Sequence, residues 1–217
     1  MIKLSRRLEA AANLVNQGSA LADIGCDHGY VPVALIEQGR IKSAVASDIN
    51  EGPLDSCKNL VAKNGLENRI TCVLSNGLEK INLDEVDDIL IAGMGGELIA
   101  DILSACDIEK LKEKHLVLNP MTHPEEARRF LFENGFEIQN DIIVKDKKHY
   151  YCIMDAINMG SAMPYTKIDL FLGNVEIKED NIGYFKHLLN YLENKQKSGE
   201  NFKEIISLIR EKLNDNG

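Results

Sequence analysis

The chain has 217 residues, enough to bury one large core or one domain plus a small appendage. Hydrophobic residues make up 44%, as in a globular soluble protein, and no apolar run approaches the roughly 20 residues of a bilayer-spanning helix. A net charge of −9 argues weakly against a nucleic-acid partner, which usually meets a basic patch; the local clusters Arg6-Arg7, Arg128-Arg129 and Lys145-Asp146-Lys147-Lys148 read as solvated faces.

Leu4, Leu8, Ala11, Ala12 and Val15 recur at helical spacing and predict an opening helix that ends at Gly18. This amphipathic stretch contains Glu9 and Asn13, unlike the unbroken apolar region of a secretory signal, so a cytoplasmic protein is expected. Residues 19–24 form a short apolar strand, and 31–38 a helix stopped by Gly39. A strand over 44–47 ends at Asp48. A helix over 53–63 takes Pro53 in its first turn and closes at Asn64-Gly65. Strands follow at 69–74 and 86–92, a helix at 97–103, a strand at 115–118 and a helix at 124–134 with Gly135 beyond it. Residues 136–144 and 149–157 flank the turn-like 145–148 and predict an antiparallel hairpin.

Five strand–helix units and a hairpin predict a doubly wound, Rossmann-like α/β sheet, mostly parallel, with helices on both faces. Ligands bind such sheets at the carboxyl ends of the strands, where the strand order reverses. The alternation stops near Met159-Gly160. Beyond it Tyr184, Leu188, Tyr191 and Leu192 lie at helical spacing, as do Phe202, Ile205, Ile206, Ile209 and Leu213, joined by the polar link 197–201. Residues 1–159 therefore read as one domain and 160–217 as a helical, coiled-coil-like hairpin whose charges balance, eight Lys and Arg against nine Asp and Glu. Cys26, Cys57, Cys72, Cys106 and Cys152 are scattered and odd in number, with no Cys-x-x-Cys pair. They suggest no disulfide framework and no metal site, and the last four read as buried apolar thiols.

The chemistry is sought at the strand ends. Asp23-Ile24-Gly25-Cys26-Asp27-His28-Gly29 is a glycine-containing turn that lets backbone approach a ligand and aims free helix N–H groups at it. Asp27 replaces the second glycine of the dinucleotide pattern G-x-G-x-x-G. A carboxylate there opposes a pyrophosphate but suits the sulfonium and ammonium of S-adenosyl-L-methionine. Asp48, with Ile49 and Asn50 after it, is placed to accept ribose hydroxyls. Ser75, Asn76 and Gly77 end the third strand toward an adenine edge. Gly93, Met94, Gly95 and Gly96 leave an open surface beside the expected methyl group, and Asn119-Pro120-Met121-Thr122-His123-Pro124 forms the far wall.

The strings ADIGCDHGYVPVAL, ASDIN, ILIAGMGG and LVLNPMTHPEEAR together resemble the bacterial tRNA adenine-N1 methyltransferase family TrmK, over the whole chain. The resemblance implies a class I methyltransferase that modifies adenine 22 of tRNA, with a helical coiled-coil C-terminal domain. It implies cofactor binding at Gly25, Asp27, His28, Gly29, Asp48, Asn76 and residues 93–96. Ser75 departs from the glycine expected before Asn76-Gly77. Asp23, Cys26, Ile49, Asn50, Ser75, Gly77, Met94 and Gly95 complete the candidate cofactor set, and Asp27, His28 and Tyr30 are the candidate catalytic residues. Monomer and weak dimer both remain open. The competing readings are a methyltransferase for a small molecule or protein, a nicotinamide-dependent oxidoreductase that Asp27 disfavours, and a non-catalytic RNA-binding module.

Overall fold

The computed structural model describes residues 2–215; residue 1 and residues 216–217, the outer ends of the two predicted domains, lie outside the described residues. Helix α1 (Arg6–Leu14) begins where the Ser5 hydroxyl accepts the Leu8 N–H, and stops four residues before Gly18. The Asn16 backbone N–H and side-chain amide both donate to Asp88, at 2.6 and 3.1 Å, which draws the chain out of the helix toward the base of the sheet. Next come β1 (Ala20–Ile24), α2 (Tyr30–Glu37), β2 (Ser43–Asp48), α3 (Glu51–Lys63), β3 (Ile70–Leu74), β4 (Asp88–Met94) and α4 (Gly96–Ser104). Then follow α5 (Ile108–Leu111), β5 (His115–Pro120), α6 (Pro124–Glu133), β6 (Phe136–Asp146) and β7 (His149–Asn158). Helix α5 is absent from the sequence reading because four residues make one turn and show no periodicity. Strand β4 runs two residues past the expected end, since Met94 still pairs with Pro120 across a bulge at Gly93.

The seven strands lie in the order β3-β2-β1-β4-β5-β7-β6. The first five are parallel, and β7 is antiparallel to both β5 and β6. The order reverses between β1 and β4, which opens a crevice at their carboxyl ends. Both faces of the sheet's centre are covered, so β1, β4 and β5 read as continuous apolar runs rather than alternating ones. Ile89 and Ile91 of β4 pack with Ile99 and Leu103 of α4 and Phe130 of α6. Leu90 faces the other way, into a cluster with Ala11 of α1, Val33 of α2 and Leu54 of α3.

Beyond the sheet lie α7 (Lys167–Phe171), α8 (Ile182–Lys197) and α9 (Lys203–Asp215). Phe185, Leu192, Phe202, Ile205 and Ile209 bury against Leu170 and Phe171 in a third cluster. Helix α7 went unpredicted, although its capping box, Thr166 with Asp169, is a sequence-level start signal.

Two burial assignments are corrected. Arg128 is fully buried rather than solvated. Its Nε and Nη2 each donate to an Asp141 carboxylate oxygen at 3.0 Å, and Nη1 donates to the Leu170 carbonyl at 2.8 Å. This pair ties α6 and β6 to the segment leading into the C-terminal helices. Among the cysteines, Cys57 and Cys152 are buried, but Cys72 and Cys106 are partly exposed. Cys152 is not in apolar surroundings either, for it donates to Asp141 at 3.3 Å and accepts from Arg128 at 3.2 Å.

Candidate functional site

The first strand-to-helix turn sits at the topological switch point. Gly25, Asp27 and Gly29 all have positive φ, at 71°, 52° and 70°. Asp27 thus takes the left-handed backbone that glycine would supply, a conformation aspartate tolerates better than most residues. The Cys26 N–H donates to the Ser47 carbonyl at 2.8 Å, and the Gly29 N–H to the Cys26 carbonyl at 2.8 Å. Gly29 starts α2 and lies against the Cys57 thiol, so a Cβ there would collide with sulfur as well as strain the backbone.

Asp48, at the end of β2, is buried and organises two turns. Its Oδ2 accepts the Asp27 N–H at 3.2 Å and its Oδ1 the Asn50 N–H at 2.9 Å. Its carbonyl accepts the Ser75 N–H at 3.0 Å, which ties the end of β3 to the same point. Ile49 and Asn50 are exposed beside it. Each Asp48 oxygen retains a lone pair for a hydroxyl. Ser75 itself turns inward. Its hydroxyl donates to the Gly77 carbonyl at 3.0 Å and accepts the Lys80 N–H at 3.1 Å, so it shapes the turn. Asn76 and Gly77 open onto a cleft of about 510 Å³ shared with Leu98 and Asp101 of α4.

Asp23 is the most perturbed group of the site. Burial first, and then the charge of Asp48, raise its carboxyl from the usual 3.8 to about 7. The Ser47 hydroxyl, behind the loop, has no hydrogen-bond partner among the described residues. Two buried carboxylates, Asp23 and Asp48, and an exposed third, Asp27, fit a ligand that brings positive charge and hydroxyl groups. S-adenosyl-L-methionine has both.

Beside the loop, the Met94 methyl group lies against Gly25, so a Cβ at Gly25 would strike it. Gly93 is exposed, and Gly96 packs directly on the His123 carbonyl while its N–H donates to the Thr122 carbonyl at 2.8 Å. The turns after β4 and β5 are therefore locked together. Asp27 and Tyr30 are exposed and His28 is half-buried. His28 Nε2 stands 3.6 Å from Asp27 Oδ1, and the His28 and Tyr30 rings lie 5.4 Å apart.

Arg7 was missed as a site residue and read as surface. Its Nη1 donates to Asn119 Oδ1 at 2.6 Å, and its guanidinium stands 5.4 Å from the Tyr151 ring centroid. A side chain begun at Gly93 would come within 4.0 Å of it. Asn119 is buried and held by donating to the Cys152 carbonyl at 2.8 Å. A cation thus stands across the open glycine turn from the acidic loop. No local signal marks Arg7, because its partner is 112 residues away.

Residues 4–154 match the methyltransferase domain family. The tRNA (adenine(22)-N(1))-methyltransferase of Bacillus subtilis is 33% identical over 199 residues, covering 90% of this chain and 84% of the relative. The chain belongs to the tRNA (adenine(22)-N1)-methyltransferase family. Among solved structures, a Streptococcus pneumoniae relative crystallised with S-adenosyl-L-methionine superimposes with a TM-score of 0.87 at 33% identity, covering 97% of this chain and 100% of that one. The B. subtilis m1A22 tRNA methyltransferase TrmK gives 0.83 at 29% identity over 99% and 96%. Membership in this family sets aside the oxidoreductase reading. Among the described residues no group of three or more His, Cys, Asp or Glu is arranged to hold a metal ion, and no helix is long and apolar enough to cross a membrane.

Proposed function

We propose that the protein methylates N1 of adenine 22 in tRNA with S-adenosyl-L-methionine, acting in the cytoplasm. The observation that carries this reading is the acid-bearing turn at the switch point, with Asp27 fastened to Asp48, in a chain of this family. Residues 1–159 act as the methyltransferase domain and 160–217 as an RNA-facing helical domain.

S-adenosyl-L-methionine supplies an electrophilic methyl group on a cationic sulfonium. Asp23 and Asp27 set negative charge around the loop, Asp48 accepts ribose hydroxyls, and Asn76 and Gly77 flank the adenine end. Gly25, Cys26, Gly29 and Met94 shape the floor, with Ile49 and Asn50 at the rim. Gly93 and Gly95 leave room for a flat ring.

Adenine N1 carries a free lone pair at neutral pH, so no base is needed before attack. What is needed is alignment at about 3–3.5 Å. N1 lies on the Watson–Crick edge, so the target must be unpaired or flipped out. His28 and Tyr30 offer rings on which the extruded adenine stacks. Asp27 faces the ring as positive charge builds on it and stabilises that charge. An Asn-Pro-Pro-aromatic motif after β4 is unnecessary, since N1 has no hydrogen to donate.

The test is to incubate unmodified tRNA with the pure protein and labelled cofactor and to map the modified nucleoside. N1-methyladenine at position 22 is expected. Label on another base, or on a small molecule or protein only, would refute the reading.

A further inference from the structure

Resting on that reading, we propose that a second pocket beside the transfer site binds an unpaired nucleobase of the substrate RNA other than the adenine that is methylated. The pocket has a volume of about 360 Å³ and lies between the turn after β5, the tip of the β6–β7 hairpin and helix α8.

Its position follows from the register of the sheet. Leu118 of β5 lies opposite Met154 of β7. His149, Tyr150 and Tyr151 therefore stand beyond the end of β5, on the edge that carries Asp27 and Gly93. Thr122 and His123 line the pocket from the turn whose carbonyls hold Gly96. One short turn thus has the transfer site on one side and this pocket on the other.

Its chemistry is that of a base-binding site. Tyr150 and His187 meet edge to face at 6.3 Å, and His123 and Tyr191 at 6.5 Å, so rings from three separate elements wall it. Such walls stack any base. Set among the rings is the buried Glu125, 5% exposed, with one oxygen 3.1 Å from His123 Nδ1. A carboxylate offers about four acceptor positions, and it recognises the exocyclic amines of bases. The Tyr191 hydroxyl is also buried, with the Lys195 ammonium as its polar neighbour. A buried carboxylate and a buried hydroxyl are costly in a pocket built for an apolar peptide, and useful in one that reads the polar edge of a base.

Two cations stand by the pocket: Lys148 lines it, and Lys195 Nζ stands 5.3 Å from the ring centroid of Tyr191. They are placed to meet the phosphates on either side of a bound nucleotide. The 145–148 cluster thereby acquires a partner, despite the acidic net charge of the chain.

The experiment uses full-length protein and an unmodified tRNA transcript. Leu188→Trp fills the pocket, and the exposed His187→Ala removes one wall without crowding the core. Each is expected to raise the KM for tRNA, by about tenfold for Leu188→Trp, with the cofactor Kd and unfolding temperature unchanged. A set of transcripts, each with one abasic unpaired nucleotide, then identifies the base. One such substitution away from position 22 should weaken the wild type by a similar factor and cost the variants nothing further. An unchanged KM in His187→Ala and Leu188→Trp proteins that bind cofactor normally overturns the pocket alone, as does full additivity at every abasic position. Wild-type protein that binds cofactor but leaves every tRNA unmethylated overturns the functional reading and the pocket with it.

Discussion

At the scale of single residues, Asp27 combines two requirements. Its backbone adopts the left-handed turn that a glycine would otherwise supply, and its carboxylate is exposed. Alanine at φ 52° would add backbone strain to the loss of charge, whereas asparagine tolerates that conformation. Asp27→Asn is expected to lower single-turnover methyl transfer by about 100-fold while the cofactor Kd from calorimetry shifts by much less. Equal losses in both would make Asp27 a binding residue only. Asp23 gives a pH signature. Burial and Asp48 hold it at about 7, so the folded protein keeps a proton that the unfolded chain releases near 3.8, and stability from this group falls as pH rises through that window. A cationic ligand beside Asp23 favours its ionised form. Cofactor affinity should therefore increase from pH 6 to pH 8 with proton release, measured by calorimetry in two buffers, and Asp23→Asn should abolish that dependence. The candidate acids were legible from the motif alone. Arg7 was not, since nothing within a few residues of it predicts a contact with Asn119.

At the scale of elements, the Arg128–Asp141 pair decides how the sheet meets the C-terminal helices. Both side chains are fully buried, and the guanidinium also holds the Leu170 carbonyl. Burial, the largest single influence, would favour loss of the arginine proton, but the Asp141 charge and hydrogen bonds together with the neighbouring Cys152 and Tyr184 outweigh it and keep the group ionised. Removing one partner strands the other charge. Arg128→Met should cost about 3–5 kcal/mol in urea unfolding, and adding Asp141→Leu should recover much of that loss. A Met variant of undiminished stability would show that the pair is not what joins these elements. The elements themselves were mostly readable, with α1 ending early because Asp88 captures Asn16. Arg128 was misread because a charged residue next to Arg129 on an amphipathic helix looks solvated until Asp141 is brought against it.

For the molecule as a whole, the end of the sheet opposite the site sets a second pH response. His115 Nε2 lies 2.9 Å from Asp155 and Nδ1 lies 3.3 Å from Asp88. Burial works to lower its pKa, but the two carboxylates outweigh that and raise it from 6.5 to about 9. Because the folded value is the higher one, this stabilisation is complete below about pH 6.5 and is lost as pH rises through about 9, a contribution of about 2–3 kcal/mol. Asp23 acts in the same direction at lower pH. The melting temperature should fall between pH 6.5 and 9.5, and His115→Gln should lower it most at pH 6.5 and flatten the slope. A wild-type melting temperature that rises with pH would contradict the assignment.

The sequence by itself determined the alternation of strands and helices, the candidate cofactor residues at four strand ends, and the family. Each of those depends on local periodicity or on contiguous residues, and local signals survive in one dimension. Only the tertiary structure decided which charges are buried, that Arg7 crosses to Asn119 beside Gly93, and that the turn after β5, the hairpin tip and α8 enclose a second pocket. Those features join residues tens to more than a hundred positions apart. Their energies come from desolvation and directional contact, and neither exists until the chain has closed around them.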